Sequence, residues 1–310
     1  MWWAELLNTI FGIFSGPLPK KIAGYVGGGN TAAVTNVGTV DKFLFSDDTR
    51  STLGSGLDPV RRQATGFSSS SAGYAAGGID ASNVTTVNKY AFSNDSRSTL
   101  GTGLSTASRG GAGMESSTAG YVALGLTTVR VTTVDKFAFS NDSRSTLGTG
   151  ISTDRFLAAG CSSSTNGYVM GGNTAVTGAV TTVDKFAFSN DSRSTLGTGL
   201  PAGQRQQAGF NSSSDGYSAG GDNNTVALTL IYKLAFSNDT FSTLAAVTSV
   251  ARNGVVGVSG SDFGYIAGGR NFAETTYYST VDKLTYSNDT ASTLGTGLSS
   301  SRSYAAGFAG

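Results

Sequence analysis

Residues 132–150 read Thr-Thr-Val-Asp-Lys-Phe-Ala-Phe-Ser-Asn-Asp-Ser-Arg-Ser-Thr-Leu-Gly-Thr-Gly. The stretch from Thr132 to Ser140 alternates and is rich in β-branched and aromatic residues, so it reads as a strand. Asn141-Asp142-Ser143-Arg144-Ser145 is made of residues that bond their own backbone and turn the chain tightly, and Thr146 to Thr149 reads as a short returning strand. The segment is a hairpin, and its second half recurs almost unchanged at 93–103 and 189–199. Upstream of each hairpin stands a Gly-Tyr pair, beginning at Gly24, Gly73, Gly120, Gly167, Gly216 and Gly264. The strand lysines fall at Lys42, Lys89, Lys136, Lys185, Lys233 and Lys283, a period of 47 to 50 residues.

In the unit around the quoted hairpin, Arg109 to Glu115 reads as a Gly/Ala-rich first strand and Gly120 to Leu124 as a second, giving four strands per unit. A period of roughly 40 to 50 residues made of short strands is the signature of a propeller blade. The first unit begins at its second strand, Ile22 to Gly27, and the last is followed by a lone first strand, Arg302 to Ala309. Pairing these two completes a sixth blade and leaves the ring without a free edge. The expected fold is all-β: a six-bladed β-propeller of four-stranded blades over 22–310, closed by N- and C-terminal strands, with residues 1–21 outside it.

The order of Arg, small apolar strand, Gly-Tyr-x-x-Gly-Gly, variable loop, Val-x-Lys-Phe/Tyr and hairpin resembles the kelch repeat, and it covers 22–310. It departs from that pattern at Leu53, Leu100, Leu147, Leu196, Leu244 and Leu294, where kelch repeats carry Trp, and at Leu124-Gly125, which replaces Gly-Gly. The hairpin Ser140-x-Asp142-x-x-x-Thr146-Leu147 is similar to the Asp-box of sialidase-type propellers without its Gly and Trp. Both resemblances imply a propeller, and neither transfers an activity. The near-identical hairpins point to recent duplication. With a Gly/Ser/Thr-rich surface and a hydrophobic N-terminal segment, the chain looks like virion proteins of tailed bacteriophages that pair a short anchor with a displayed β-domain.

Glycine makes up 44 of 310 residues, charged residues are 13%, and the net charge is +1. Such a near-neutral surface argues against nucleic acid as a partner, because phosphate binding needs a clustered basic field. The chain has no His, which removes Ser-His-Asp triads, His-ligated metals and His bases. A copper centre like that of galactose oxidase would need His ligands, and a sialidase would need an arginine cluster with a Tyr nucleophile and a nearby acid. No catalytic residue, metal or cofactor is expected. Cys161, the single cysteine, stands where other units have Phe67, Met114, Phe210 and Phe308, so it reads as a buried thiol.

One arginine recurs ahead of each first strand: Arg62 (or Arg61), Arg109, Arg155, Arg205, Arg252 and Arg302. If first strands line the axis, these would ring one mouth, and the kelch resemblance implies an anion or acidic-peptide site there. Sixfold recurrence favours a structural role instead, with each guanidinium bonding carbonyls or loops. The hairpin acids Asp48, Asp95, Asp142, Asp191, Asp239 and Asp289 are expected to accept N–H bonds of their own turns. Lys42 and its counterparts are expected to lie along a neighbouring blade, with the ammonium at a carbonyl or an Asp41-type partner. The units differ most in the loop between second and third strands: Asn30–Gly38, Ile79–Asn83, Leu126–Arg130, Asn173–Ala179, Asp222–Ala227 and Arg270–Ser279, the last with Phe272, Tyr277 and Tyr278. Variable loops on a rigid scaffold carry recognition.

At the N-terminus Trp3, Leu6, Leu7, Ile10, Phe11 and Phe14 recur at helical spacing with Glu5, Asn8 and Thr9 opposite, so residues 2–14 read as an amphipathic helix ended by Pro17 and Pro19. At about 1.5 Å per residue it is too short to span a bilayer core of about 30 Å. Without a basic start, and with Glu5 in its apolar stretch, it does not read as a secretion signal. Trp2, Trp3, Leu6, Leu7, Ile10, Phe11 and Phe14 therefore read as an anchor for a groove on a partner or on a second copy. Interfacial membrane binding and folding back on the propeller are the alternatives. The expected function is a non-enzymatic structural or display protein of a virus particle, a decoration, tail or fibre component. It would dock to other virion proteins through residues 1–20 and be present in multiple copies. The alternative is an extracellular or cell-surface adhesin that binds carbohydrate, such as a host surface glycan, or peptide through its loops. A degenerate glycan hydrolase is a third reading.

Overall fold

A computed structural model describes residues 20–33 and 35–310. The amphipathic helix expected over 2–14 and its anchoring residues lie outside the described residues. The six repeats form six four-stranded antiparallel sheets. Blade 1 runs Ala306–Ala309, Ala23–Gly27, Val40–Leu44, Arg50–Thr52; blade 2 runs Thr65–Ser68, Ala72–Ala76, Val87–Ala91, Arg97–Thr99. Blade 3 runs Ala112–Glu115, Ala119–Ala123, Val134–Ala138, Arg144–Thr146; blade 4 runs Ala159–Ser162, Asn166–Met170, Val183–Ala187, Ser192–Thr195. Blade 5 runs Ala208–Asn211, Asp215–Ala219, Ile231–Ala235, Thr240–Thr243; blade 6 runs Val256–Ser259, Phe263–Ala267, Val281–Thr285, Thr290–Thr293. The loop Asn173–Ala179 adds a small ladder of Asn173–Thr174 with Gly178–Ala179. The strands Arg109–Glu115 and Thr146–Thr149 expected from the sequence are shorter and shifted, at Ala112–Glu115 and Arg144–Thr146.

Closure joins the two ends as the repeat count requires. Tyr25 pairs with Phe308 and Gly24 with Ala309, while the Ile22 and Ala23 N–H groups both donate to the Gly310 carbonyl. First strands of successive blades touch in one closed cycle, so they line the axis.

Burial follows from that geometry. Second strands are buried on both faces because a blade packs on each side of them, whereas fourth strands at the rim are mostly exposed. The third residue of each first strand, Phe67, Met114, Cys161, Phe210, Val258 or Phe308, lies on the Gly of the next blade's Gly-Tyr pair, where an added Cβ would collide with it. That is why the repeat carries glycine before tyrosine. The tyrosine ring then stacks on the same cluster: Phe67 and Tyr74 lie 4.8 Å apart and nearly parallel, as do Phe210 and Tyr217 at 5.1 Å. Cys161 is 3% exposed in this seam, and burial pushes its thiol well up, so it is the buried packing residue that its place among Phe67, Met114, Phe210 and Phe308 indicates.

The recurrent Tyr, Lys and Asp form one device, with a different wiring from that expected. The hairpin Asp sits at positive φ in every blade and accepts from the blade before it, not from its own turn. Asp142 takes the Tyr74 hydroxyl at 3.0 Å and the Lys89 ammonium at 2.6 Å. Asp95 takes Tyr25 and Lys42, Asp191 takes Tyr121 and Lys136, Asp239 takes Tyr168 and Lys185, and Asp48 closes the circle by taking Tyr265 and Lys283. Among the described residues only the Lys233 arm reaches Asp289, and the Tyr217 hydroxyl has no partner there. The turn itself is held by the residue ahead of the Asp, as where Asn141 Oδ1 accepts the Ser143 N–H. The reason is geometric: a left-handed residue at the turn projects its carboxylate sideways, toward the adjoining blade.

Candidate functional site

The second-to-third-strand loops and the entries to the first strands share one face, here the upper face. The hairpins and the first-to-second-strand turns share the lower face. Three successive rings close the axis between them.

At the upper mouth, the residue that opens each first strand has a left-handed backbone: Gln63, Gly110, Leu157, Gln206, Gly254 and Tyr304 lie between φ 57° and 62°. Each donates its N–H to the carbonyl of its equivalent in the preceding blade, from Gln63 to Tyr304, Gly110 to Gln63, Leu157 to Gly110, Gln206 to Leu157, Gly254 to Gln206 and Tyr304 to Gly254, at 2.7 to 3.0 Å. The result is a closed, head-to-tail hydrogen-bonded ring through all six blades. Around it the side chains repeat as Gln-Gly-Leu and Gln-Gly-Tyr, because each glycine leaves room for the larger neighbour that leans over it.

One layer down, Gly66, Gly113, Gly160, Gly209, Gly257 and Gly307 meet at the axis. An added Cβ on any of them would run into the carbonyl oxygen of the equivalent glycine of the preceding blade. This ring is the common wall of two cavities, an upper one of about 120 Å³ and a lower one of about 50 Å³. The lower cavity is rimmed by Ser68, Glu115, Ser162, Asn211, Ser259 and Ala309. In every blade but that of Ala309 the side-chain oxygen at this position accepts a backbone N–H from the preceding blade, as Ser68 Oγ does from Ala309 and Ser162 Oγ from Glu115, both at 2.9 Å. Burial raises the Glu115 carboxyl, while Lys21, 3.9 Å away, and the Ser68 N–H pull it back.

The recurrent arginines occupy two registers and do not form one ring. Arg155, Arg252 and Arg302, together with Arg61, are buried inside their blades. Arg155 Nη2 donates to the Val169 carbonyl and to Asp184, Arg252 to Ile266 and Asp282, and Arg302 to Val26 and Asp41. Arg61 bonds the Ala75 and Gly77 carbonyls and Asn88. These are braces across a blade, and no ligand reaches them. Ser108 and Gln204 hold the same register in blades 3 and 5. Arg62, Arg109 and Arg205 sit one residue later and partly exposed at the upper mouth, beside Phe156, Asn253 and Ser303 in the other blades. A shift of one residue, invisible in a repeat with variable loops, therefore divides a single sequence signal into braces and mouth residues.

In the longest loop, Phe272 is exposed while Tyr277 and Tyr278 are half-buried. Tyr277 is engaged: its hydroxyl accepts from Asn30 Nδ2 at 3.3 Å and Arg270 Nη1 at 3.4 Å. Arg270 stacks over Tyr304 at 4.9 Å and pairs with Glu274. Burial pushes the Tyr304 phenol up to about 12. Sequence reasoning missed Tyr304, Gln206 and Arg130, whose signal was a departure from the repeat at equivalent positions.

Chemically, the upper funnel offers amides, a phenol and guanidinium groups above a glycine floor, a set that binds and orients. No family model matches this chain, and no curated protein matches it.

Proposed function

We propose that this protein is a non-enzymatic display scaffold, fixed to a larger assembly through residues 1–20 on its lower face and offering its upper face for recognition. One observation carries the reading: the chain enters the ring on the lower face, and the variable loops lie on the opposite one. Lys21 lines the lower cavity beside Glu115, its N–H donates to Ser261 Oγ, and Lys20 pairs with Asp262 at 2.5 Å. The point of attachment of residues 1–19 is thus on the face opposite the loops. The near-identical hairpins at 93–103, 140–150 and 189–199, the Gly/Ser/Thr-rich composition and the hydrophobic N-terminal segment support a component of a virus particle, in many copies, as the assembly concerned.

The test is the solution mass of the full chain against one starting at Lys20, by light scattering. Association of the full chain with a monomeric shorter form is expected. Two equally monomeric proteins would overturn the docking role, and the loop face would then stand alone as an adhesin surface.

A further inference from the structure

The partly exposed register at the upper mouth carries a charge asymmetry that the repeat does not require. Blades 2 and 3 place Arg62 and Arg109 there. In blade 4 the position is Phe156, and the cation comes instead from Arg130 on the preceding loop, whose guanidinium lies 4.9 Å over the Phe156 ring. Three consecutive sites thus hold three cations.

Each is held in place by a neutral acceptor. Arg62 Nη1 donates to Asn36 Oδ1 at 2.9 Å, Arg109 Nη1 to Asn83 Oδ1 at 3.2 Å, and Arg130 Nε to the Asn173 carbonyl at 3.0 Å. The asparagines are in turn tied down, with Asn83 Nδ2 donating to the Leu126 and Thr127 carbonyls. Among the described residues no carboxylate lies within 4.0 Å of these three arginines. Elsewhere around the mouth charge is matched: Arg205 and Asn253 share Asp222, and Arg270 has Glu274. Burial, and after it the Arg62 charge, draw the Arg109 guanidinium below its ordinary range. Holding unneutralised guanidinium groups in a fixed arc costs free energy that a bound anion returns.

Gln63, Gly110 and Leu157, next in the chain to Arg62, Arg109 and Phe156, line the upper cavity, whose glycine floor stops a chain from threading through. Gln207 lines the same cavity and is 6% exposed, its amide held by the Met170 carbonyl at 2.9 Å. We propose that Arg62, Arg109 and Arg130 form a preorganised site for a compact ligand bearing an oxyanion, a carboxylate, sulfate or phosphate group.

This rests on reading the upper face as the recognition face, but its test is independent of association through residues 1–20, so the two fail separately. The full-length protein is titrated with inorganic sulfate and phosphate against chloride at constant ionic strength, following the arginine Nε–H resonances and the unfolding midpoint. Saturable shifts are expected. The double variant Arg62→Gln/Arg109→Gln, and Arg130→Gln alone, should each weaken binding about tenfold or more, as loss of charge-assisted bonds implies. Arg193→Gln, on a fourth strand, should bind as the wild type does. Galacturonate separates the sources: tighter binding than sulfate assigns the anion to a sugar, and weaker binding to a free anion. Absence of saturable binding to all three probes by wild-type protein, or equal binding by a folded double variant, overturns the site.

Discussion

Gly113→Ala and Gly148→Ala test whether the axial ring governs stability. In the sequence both are glycines of a repeat, and the structure separates them. A Cβ on Gly113 falls against the Gly66 carbonyl oxygen, whereas one on Gly148 meets nothing within 4 Å. To recover an ordinary separation of ~3.5 Å, the first strands of blades 2 and 3 would have to part by more than about an ångström. Overpacking costs ~1–3 kcal/mol where side chains relax. Here the obstacle is backbone inside a ring closed by six hydrogen bonds. Relief in one seam compresses the others, so the cost should reach the top of that range, about 3 kcal/mol. At ~2–4 °C per kcal/mol for a domain of about this size, the midpoint should fall by about 6–12 °C. Gly148→Ala removes only unfolded-state freedom and should be neutral or stabilise by up to ~1 kcal/mol. Calorimetry with urea unfolding reads both. If Gly113→Ala unfolds at the wild-type midpoint, the axial contact is not a constraint and the reasoning is refuted.

Arg155→Ala should cost about 3 kcal/mol, because it takes the fully buried cation from Asp184, which has no exposure and keeps only Ser152, Thr195 and the more exposed Arg193; a loss under about 1 kcal/mol in urea unfolding would show that the brace is dispensable. Asp142→Ala leaves the Tyr74 hydroxyl and the Lys89 ammonium without their acceptor and should cost about 1–3 kcal/mol, with wild-type stability excluding the inter-blade clasp as a contributor. In acid, burial pushes Asp41 and Asp184 up, but Arg302 and Arg155 with the Ser299 and Ser152 bonds bring both below 3.8. Their folded values lie under the unfolded one, so their contribution is present above about pH 4 and is lost as pH falls further; a melting profile flat down to pH 2 would contradict this. In alkali, burial first and then the Asp95, Asp239 and Asp48 bonds raise Tyr25, Tyr168 and Tyr265 above 10.0. That stabilisation is complete below the unfolded value and declines as pH rises past 10, which absorbance-monitored titration against unfolding would detect.

The ring was legible because a period of 47 to 50 residues, Gly-Tyr spacing and hairpin chemistry are local signals, and the unpaired strands at the two ends left one way to close. The partner of each recurrent charge was not legible. Turn chemistry assigns Asp142 to its own turn, yet that task falls to Asn141, and the carboxylate serves blade 2. In the sequence the arginines fall at one place in each repeat, but a one-residue offset sends Arg155, Arg252 and Arg302 into the blades and leaves Arg62, Arg109 and Arg205 at the mouth.

What the sequence determined by itself was therefore the repeating unit, its strands, their number and the closure, since these depend on short-range periodicity and turn residues. Only the tertiary structure decided which glycines fill the axis, which carboxylate answers which lysine, and where charge is left unmatched. Those depend on distances between blades that lie roughly fifty residues apart along the chain, and between residues 20–21 and the far blades, where local propensity carries no information.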